Sequence, residues 1–118
     1  MSGPKRLSET WLMTRGEVWW VQFGPAKGGE IQKRRPAIIV SNDAANKHLN
    51  RVQVVPTTRQ TSRLYPSEAY VSVGSKRSKA MADQLTTVRK DRLKARMGTL
   101  SLADLRNVER VIRVQLGL

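Results

Sequence analysis

The fold class this chain predicts is mainly β with a C-terminal helix: a small, strongly bent β-barrel with the helix packed on it. Three observations lead there. From Arg15 onward, short apolar runs alternate with clusters of turn residues. After Ser101 the apolar period lengthens to that of a helix. At 118 residues the chain has the size of one domain. A domain this small buries a limited share of its surface, so a second copy is an expected supplement.

Residues 1–14 are polar, contain Gly3-Pro4 and show no period; they read as a flexible leader, with residues 15–118 as the single domain. Whether Trp11, Leu12 and Met13 dock on that domain stays open at this point. Glu17 to Phe23 forms the first strand, and its continuous apolar centre implies burial on both faces, with Trp19 and Trp20 in the core or at a subunit contact. Pro36 to Ser41 forms the second, since a strand start is where proline's missing N–H matters least. Asn42 offers a cap for a short helical turn through Asn46. Arg51 to Thr57 alternates and forms the third strand. Ala69 to Val73 follows Pro66. Gly74 to Arg77 is a hairpin turn. Lys79 to Met81 and Leu85 to Val88 continue the sheet, and Met97 to Leu100 adds a last short strand.

Ser101 with Asp104 forms a weakened capping box. Leu105, Val108, Ile112 and Leu116 then fall on one helical stripe, with Leu102 and Val111 beside it and Arg106, Arg110 and Arg113 toward the other side.

Composition narrows the partners. Lys and Arg number 22 against 9 Asp and Glu, a formal net charge of +13. Such a surface attracts polyanions, nucleic acid before an acidic protein segment and an anionic membrane last. No cysteine is present, which excludes disulfides, zinc–thiolate sites and thiol nucleophiles. No apolar run exceeds the length of Ala37-Ile38-Ile39-Val40, which is far too short to cross a bilayer. Met1 to Met13 lacks the apolar centre of a signal peptide, so cytoplasmic residence is expected.

The chemistry concentrates between the first two strands. Arg15 to Asn42 reads RGEVWWVQFGPAKGGEIQKRRPAIIVSN. A Gly-Pro and Gly-Gly loop carries one carboxylate, Glu30, and then Lys33, Arg34 and Arg35. Metal-free cleavage of a phosphodiester needs this pairing: a carboxylate to handle a proton and a fixed cation to meet growing negative charge. Metal-dependent nucleases instead cluster their carboxylates; here only Glu30 and Asp43 lie near each other, and Asp43 reads as a helix-start residue. No metal site and no cofactor are therefore expected. Pro36 biases Arg35 toward extended backbone, which sets the direction of a guanidinium able to fork two phosphate oxygens. The alternative is a solvated basic run formed by Lys33, Arg34 and Arg35. Thr58, at a strand end after Pro56, offers a hydroxyl to a phosphate oxygen, with Thr57 as its neighbour on the opposite face. His48 lies in a polar helical turn and reads as a surface residue.

These stretches resemble the MazF/PemK/Kid family of toxin endoribonucleases. Its signature is an RGE-[IV]-W strand, a GxE loop and an RP-[AV]-[VI]-[VI] strand. The likeness continues through Val54-Val55-Pro56-Thr57-Thr58, Tyr65-Pro66-Ser67-Glu68 and Ala82-Asp83-Gln84-Leu85, and so covers Arg15 to about Leu118. The resemblance implies an SH3-like β-barrel of the type MazF and CcdB toxins share, the CcdB/PemK-like toxin fold. It implies a sequence-specific, metal-independent endoribonuclease on single-stranded RNA that leaves a 2′,3′-cyclic phosphate and a 5′-hydroxyl. It further implies a homodimer with the RNA groove across its two-fold axis, and a cognate acidic antitoxin of the MazE type whose partly disordered tail blocks that groove.

Carried over residue by residue, the resemblance puts Arg35 on the scissile phosphate and Thr58 in the phosphate-orienting place of a P-x-T motif. A guanidinium parts with a proton too reluctantly to serve well as an acid, which favours electrostatic stabilisation by Arg35. Glu30 is the candidate general base, and neighbouring cations would hold it ionised. Some members carry a His just before this Glu, where Gly29 stands here. Asp83 matches an active-site Asp of Kid-like members, but the Arg two residues before it is replaced by Met81; Asp83 as an Asx-turn former is the alternative. Lys33, Arg34, Thr57, Arg59, Tyr65, Lys79 and Gln84 complete the expected RNA contacts: Tyr65 as a stacking surface, and Arg59, Arg63, Lys76, Arg77 and Lys79 along phosphates. Two other readings remain. A CcdB-like poison of DNA gyrase would end in Trp-Gly-Ile, whereas this chain ends Leu-Gly-Leu. A non-catalytic basic domain would bind nucleic acid without cutting it.

Overall fold

In a computed structural model, residues 13–24 and 33–118 are described. Strand β1 (Glu17–Phe23) is central, with β2 (Lys33–Ile39) antiparallel on one flank and β7 (Leu93–Thr99) antiparallel on the other. Helix α1 (Asp43–His48) links β2 to β3 (Arg51–Thr58). Strands β4 (Glu68–Val73) and β5 (Lys76–Met81) form a hairpin, and β6 (Thr86–Arg89) follows a 3₁₀ turn at Ala82–Gln84. A second 3₁₀ turn, Lys90–Arg92, leads into β7. The seven strands of the described residues form one antiparallel sheet in the order β4-β5-β3-β2-β1-β7, with β6 on β3. It curls into a half-barrel closed by helix α2 (Leu102–Leu116).

Both faces of the central strands are buried. Val18, Ile38 and Val55 face Val71, Ala80 and helix residue Val108 on one side. Val21, Ala37, Ile39, Val52 and Val54 pack with Leu93 and Met13 on the other. Met13 is 3% exposed, so the expected leader is already anchored at its last two residues. Strand β2 starts at Lys33 rather than at Pro36, because β1 pairs with it as far back as Phe23↔Lys33. Pro36 therefore sits in mid-strand. Its carbonyl points toward β3, as its N–H would, and the β2–β3 ladder has already ended at Ala37↔Pro56. The missing donor costs no ladder bond.

The β4–β5 turn is two residues long, Gly74-Ser75, between the paired Val73 and Lys76. Gly74 takes φ +64°, as the first central position of a II′ turn requires. Strand β7 is longer than Met97–Leu100 and runs through Lys94 and Arg96; charged residues on an edge strand hide its period and discourage pairing with other chains.

Ser101 caps α2 by accepting from the Asp104 N–H at 3.1 Å. Asp104 turns away from the cap and accepts instead from the Ser72 N–H of edge strand β4 at 2.8 Å. At the other end Gly117, φ +71°, sets a Schellman motif in which Leu118 N–H donates to Arg113 O at 3.0 Å. Val108 and Val111 are fully buried, and Leu105 and Ile112 partly so. Leu102 and Leu116 are exposed, contrary to the expected stripe, because only the middle turns of the helix meet the sheet.

Polar groups fix the junctions. Arg15 donates from its backbone N–H to Asp43 at 2.8 Å and from Nε to Val40 O at 3.0 Å, and pairs with Glu109 of α2 at 2.7 Å. Asn46 is buried: Ser41 Oγ donates to its side-chain oxygen, and its amide donates back to Ser41 O at 2.9 Å. Lys90 Nζ donates to the Asn46 carbonyl.

Candidate active site

The strand pairings create an opening at one end of the sheet. Among the described residues, Lys33 to Pro36 of β2 pair only with β1, while Thr57 and Thr58 of β3 pair with Ala80 and Lys79 of β5. The strands diverge there. The gap is a concavity of about 310 Å³, lined by Arg34, Arg35 and Pro36 from β2 and by Thr57, Thr58 and Arg59 from β3 and beyond. Arg35 and Thr58, named from opposite ends of two strands, thus share one cavity.

The two threonines divide the work. Thr57 is buried, and its Oγ1 donates to Pro36 O at 3.1 Å, so its hydrogen is committed to holding β3 against β2. Thr58 is partly exposed, and its Oγ1 accepts from the Gln60 N–H at 3.3 Å. Accepting there leaves the Thr58 hydroxyl hydrogen pointed elsewhere, available to a ligand oxygen. Among the described residues none of Lys33, Arg34, Arg35 and Arg59 enters an ion pair. Three of them, Arg34, Arg35 and Arg59, line the cavity with Thr58, and cations without an ion pair among the described residues beside a hydroxyl donor suit a phosphodiester.

Arg35 also borders a second hollow of about 200 Å³, with Lys33, Phe23, Pro56, Gln84 and Thr86. Arg35 therefore borders two depressions, and Lys33 and Gln84 lie with it on the second. Asp83 is exposed on the 3₁₀ turn and lines neither hollow. The Leu85 N–H, which an Asx turn at Asp83 would need, donates instead to Ala82 O at 3.1 Å, so the Asx-turn reading is not what the structure shows either. Glu30 lies outside the described residues.

Lys79 leaves the expected set of phosphate contacts. It is buried, pairs with Glu68 at 2.8 Å and donates to Arg63 O at 2.6 Å. The pairing follows from register: Glu68 and Lys79 sit on adjacent strands of the β4–β5 hairpin. Glu68 also accepts from the Tyr65 N–H at 2.9 Å, so the pair holds the Tyr65 loop. Tyr65 is exposed, with the Arg63 guanidinium 5.9 Å and the Lys79 ammonium 5.3 Å from its ring centre. Arg77 stacks on Tyr70 at 3.8 Å, which takes it from the hairpin tip onto the β4–β5 face. Lys76 lines the main cavity. His48 is exposed.

Sequence reasoning missed one wall of this cavity. The Trp pair splits: Trp19 packs inward and donates to Glu17 at 2.9 Å, while Trp20 lies on the other face, 40% exposed, and lines the cavity with Met97 and Val73. Alternation along β1 places the two rings on opposite faces, but an unbroken apolar run does not reveal which face is open.

The model of a family described as PemK-like, MazF-like toxin of type II toxin–antitoxin systems matches residues 14–116. The chain is 34% identical over 116 residues to endoribonuclease MazF9 of Mycobacterium tuberculosis, covering 91% of this chain and 98% of that one. To the endoribonuclease toxin MazF of Escherichia coli it is 32% identical over 103 residues, 86% and 92% of the two chains. Among solved structures, it matches an endoribonuclease in complex with its cognate antitoxin from a mycobacterial species, with a TM-score of 0.75 and 28% identity over 89% of this chain and 95% of that one. A MazE–MazF complex from Deinococcus radiodurans shares the fold at a TM-score of 0.77 and 24% identity, over 91% and 97% of the chains.

Proposed function

The chain belongs to the PemK-like, MazF-like toxins of type II toxin–antitoxin systems and is an endoribonuclease, and we propose that it cuts single-stranded RNA by turning the RNA's own 2′-hydroxyl on the neighbouring phosphate. The observation that carries this mechanism is the shared cavity of Arg35 and Thr58, with the Thr58 hydrogen turned away from its backbone partner.

In the proposed reaction the 2′-oxygen bonds to phosphorus as its proton passes to Glu30. The phosphorane gains negative charge, which the Arg35 guanidinium meets while Thr58 donates to a non-bridging oxygen. The bond to the 5′-oxygen breaks, and that oxygen takes a proton from solvent water, to which Glu30 releases the one it received. The products are a 2′,3′-cyclic phosphate and a 5′-hydroxyl. Asp83 is not among the residues that line the cavity, and Glu30 is preferred as base. Lys33, Arg34, Arg59, Tyr65 and Gln84 bind the strand around the cut, and Thr57 acts on the framework rather than on RNA.

The partners are single-stranded RNA, a cognate acidic antitoxin of the MazE type and a second copy of the chain in a homodimer. The neighbour solved with its cognate antitoxin supports the second, and the +13 charge supports both polyanionic partners. No helix among the described residues is long and apolar enough to cross a membrane; we place the activity in the cytoplasm, where the RNA is. The endoribonuclease relatives weigh against the gyrase-directed reading.

The test is incubation of purified protein with a long RNA in excess EDTA, followed by mapping of the ends. Discrete cuts ending in a cyclic phosphate and a 5′-hydroxyl are expected. Intact RNA, or ends bearing a 5′-phosphate, would overturn the mechanism.

A further inference from the structure

We propose that Trp20 and Met97 form a stacking subsite for the nucleobase next to the linkage that is cut, and that this subsite contributes to the choice of cleavage sequence. The inference rests on the endoribonuclease reading above and adds to it a specificity-determining surface.

Four observations carry it. Trp20 and Met97 are 40% and 37% exposed, and among the described residues they are the only large apolar side chains on strands that are exposed. Both line the cavity that also holds Arg35 and Thr58. At about 310 Å³ that cavity falls at the small end of the ligand-pocket range of roughly 300–1,000 Å³. Lastly, Met97 reaches it through a defect in pairing. Val18 pairs with Gly98 and Trp19 with Arg96, so Met97 is the extra residue of a β-bulge. Bulges re-aim side chains next to functional sites, and this one brings a polarizable thioether to the wall that bears the indole.

The occupant follows from what surrounds this wall. Arg34, Arg59 and Lys76 line the same cavity. A flat apolar surface set among cations, beside a phosphate-binding pair, suits a base whose phosphate lies on Arg35. Trp19 spends its indole N–H on Glu17, whereas the Trp20 N–H makes no hydrogen bond among the described residues and can donate to a base edge. Stacking alone tolerates any base; that donor would bias the choice toward bases with an acceptor in reach.

The experiment uses a short RNA spanning one mapped cut, and two copies of it with an abasic nucleotide on either side of the scissile linkage. For the full chain, one of the two abasic copies should lose between about 5-fold and about 150-fold in kcat/KM, the range that base–aromatic stacking supports. Trp20→Ala should show a similar loss on the intact RNA and no further loss on that abasic copy. Trp20→Phe and Met97→Ala should retain part of the penalty, and they carry the test should Trp20→Ala not fold. An abasic penalty unchanged in the variants that fold, with cutting intact, overturns the subsite and leaves the endoribonuclease reading standing. A full chain that cuts no RNA overturns both.

Discussion

Thr57 gives its hydroxyl hydrogen to the carbonyl oxygen of Pro36 at 3.1 Å, one residue beyond the last β2–β3 ladder pair. The bond spans the point where the two strands separate and so sets the width of the cavity between Arg35 and Thr58. Thr57 is 1% exposed, so no RNA need touch it for it to matter.

Thr57→Val keeps the shape and removes the bond. The Pro36 carbonyl is left without its donor, at a cost of about 1 kcal/mol, or a fall in melting temperature on the order of 5 °C for a domain of this size. Cleavage should drop more than RNA affinity, since a small displacement at a reacting centre is costly. Thr57→Ser should restore both. Thermal melts and single-turnover kinetics check this.

Arg35→Ala separates catalysis from binding. Affinity for a single strand should weaken modestly, and the slope of log K against log salt should shrink by about 0.7, one phosphate contact. Cleavage should fall by about 10²–10³-fold, the scale of losing one charge-stabilising group. Equal losses in binding and cleavage would place Arg35 on the RNA away from the cut.

The Glu68–Lys79 pair is structural. Lys79→Met leaves a buried carboxylate without its cation and should cost about 3–5 kcal/mol in urea unfolding. Adding Glu68→Gln should recover a large part of that. A stable Lys79→Met single variant with weakened RNA binding would return Lys79 to the phosphate contacts.

Burial holds the Lys90 pKa below the ordinary lysine value. The unfolded chain therefore binds this proton more tightly than the folded one. Lys90 reduces stability while both states are protonated; as pH rises from the lowered folded value to the ordinary one, the penalty disappears. Unfolding free energy should climb through that alkaline window in the native chain, relative to Lys90→Met. Parallel curves for the two proteins would contradict this.

Strands β1 and β3, α1 and the cap of α2 were legible from apolar period and Ser/Asn caps, because those signals are local. Three features were not. The start of β2 at Lys33 depends on β1 as a partner, and cationic residues carry no strand signal of their own. The partnership of Lys79 with Glu68 is a matter of hairpin register across 11 positions of chain. The meeting of Met97 with Trp20 at the cavity depends on a bulge in β7, and nothing in Lys94 to Gly98 announces an extra residue. At the site, Arg35 and Thr58 could be named because a proline stands next to or near each; that they face one cavity depends on where β3 parts from β2.

The most direct measurement is a double-mutant cycle in single-turnover cleavage, with Arg35→Ala, Thr58→Val and the two combined. If guanidinium and hydroxyl hold one phosphate, removing both should cost little more than removing the more damaging one, as for residues that act as a unit. Losses that multiply, with a coupling below about 0.5 kcal/mol, would mean that the two side chains act on separate parts of the RNA, contradicting the shared grip.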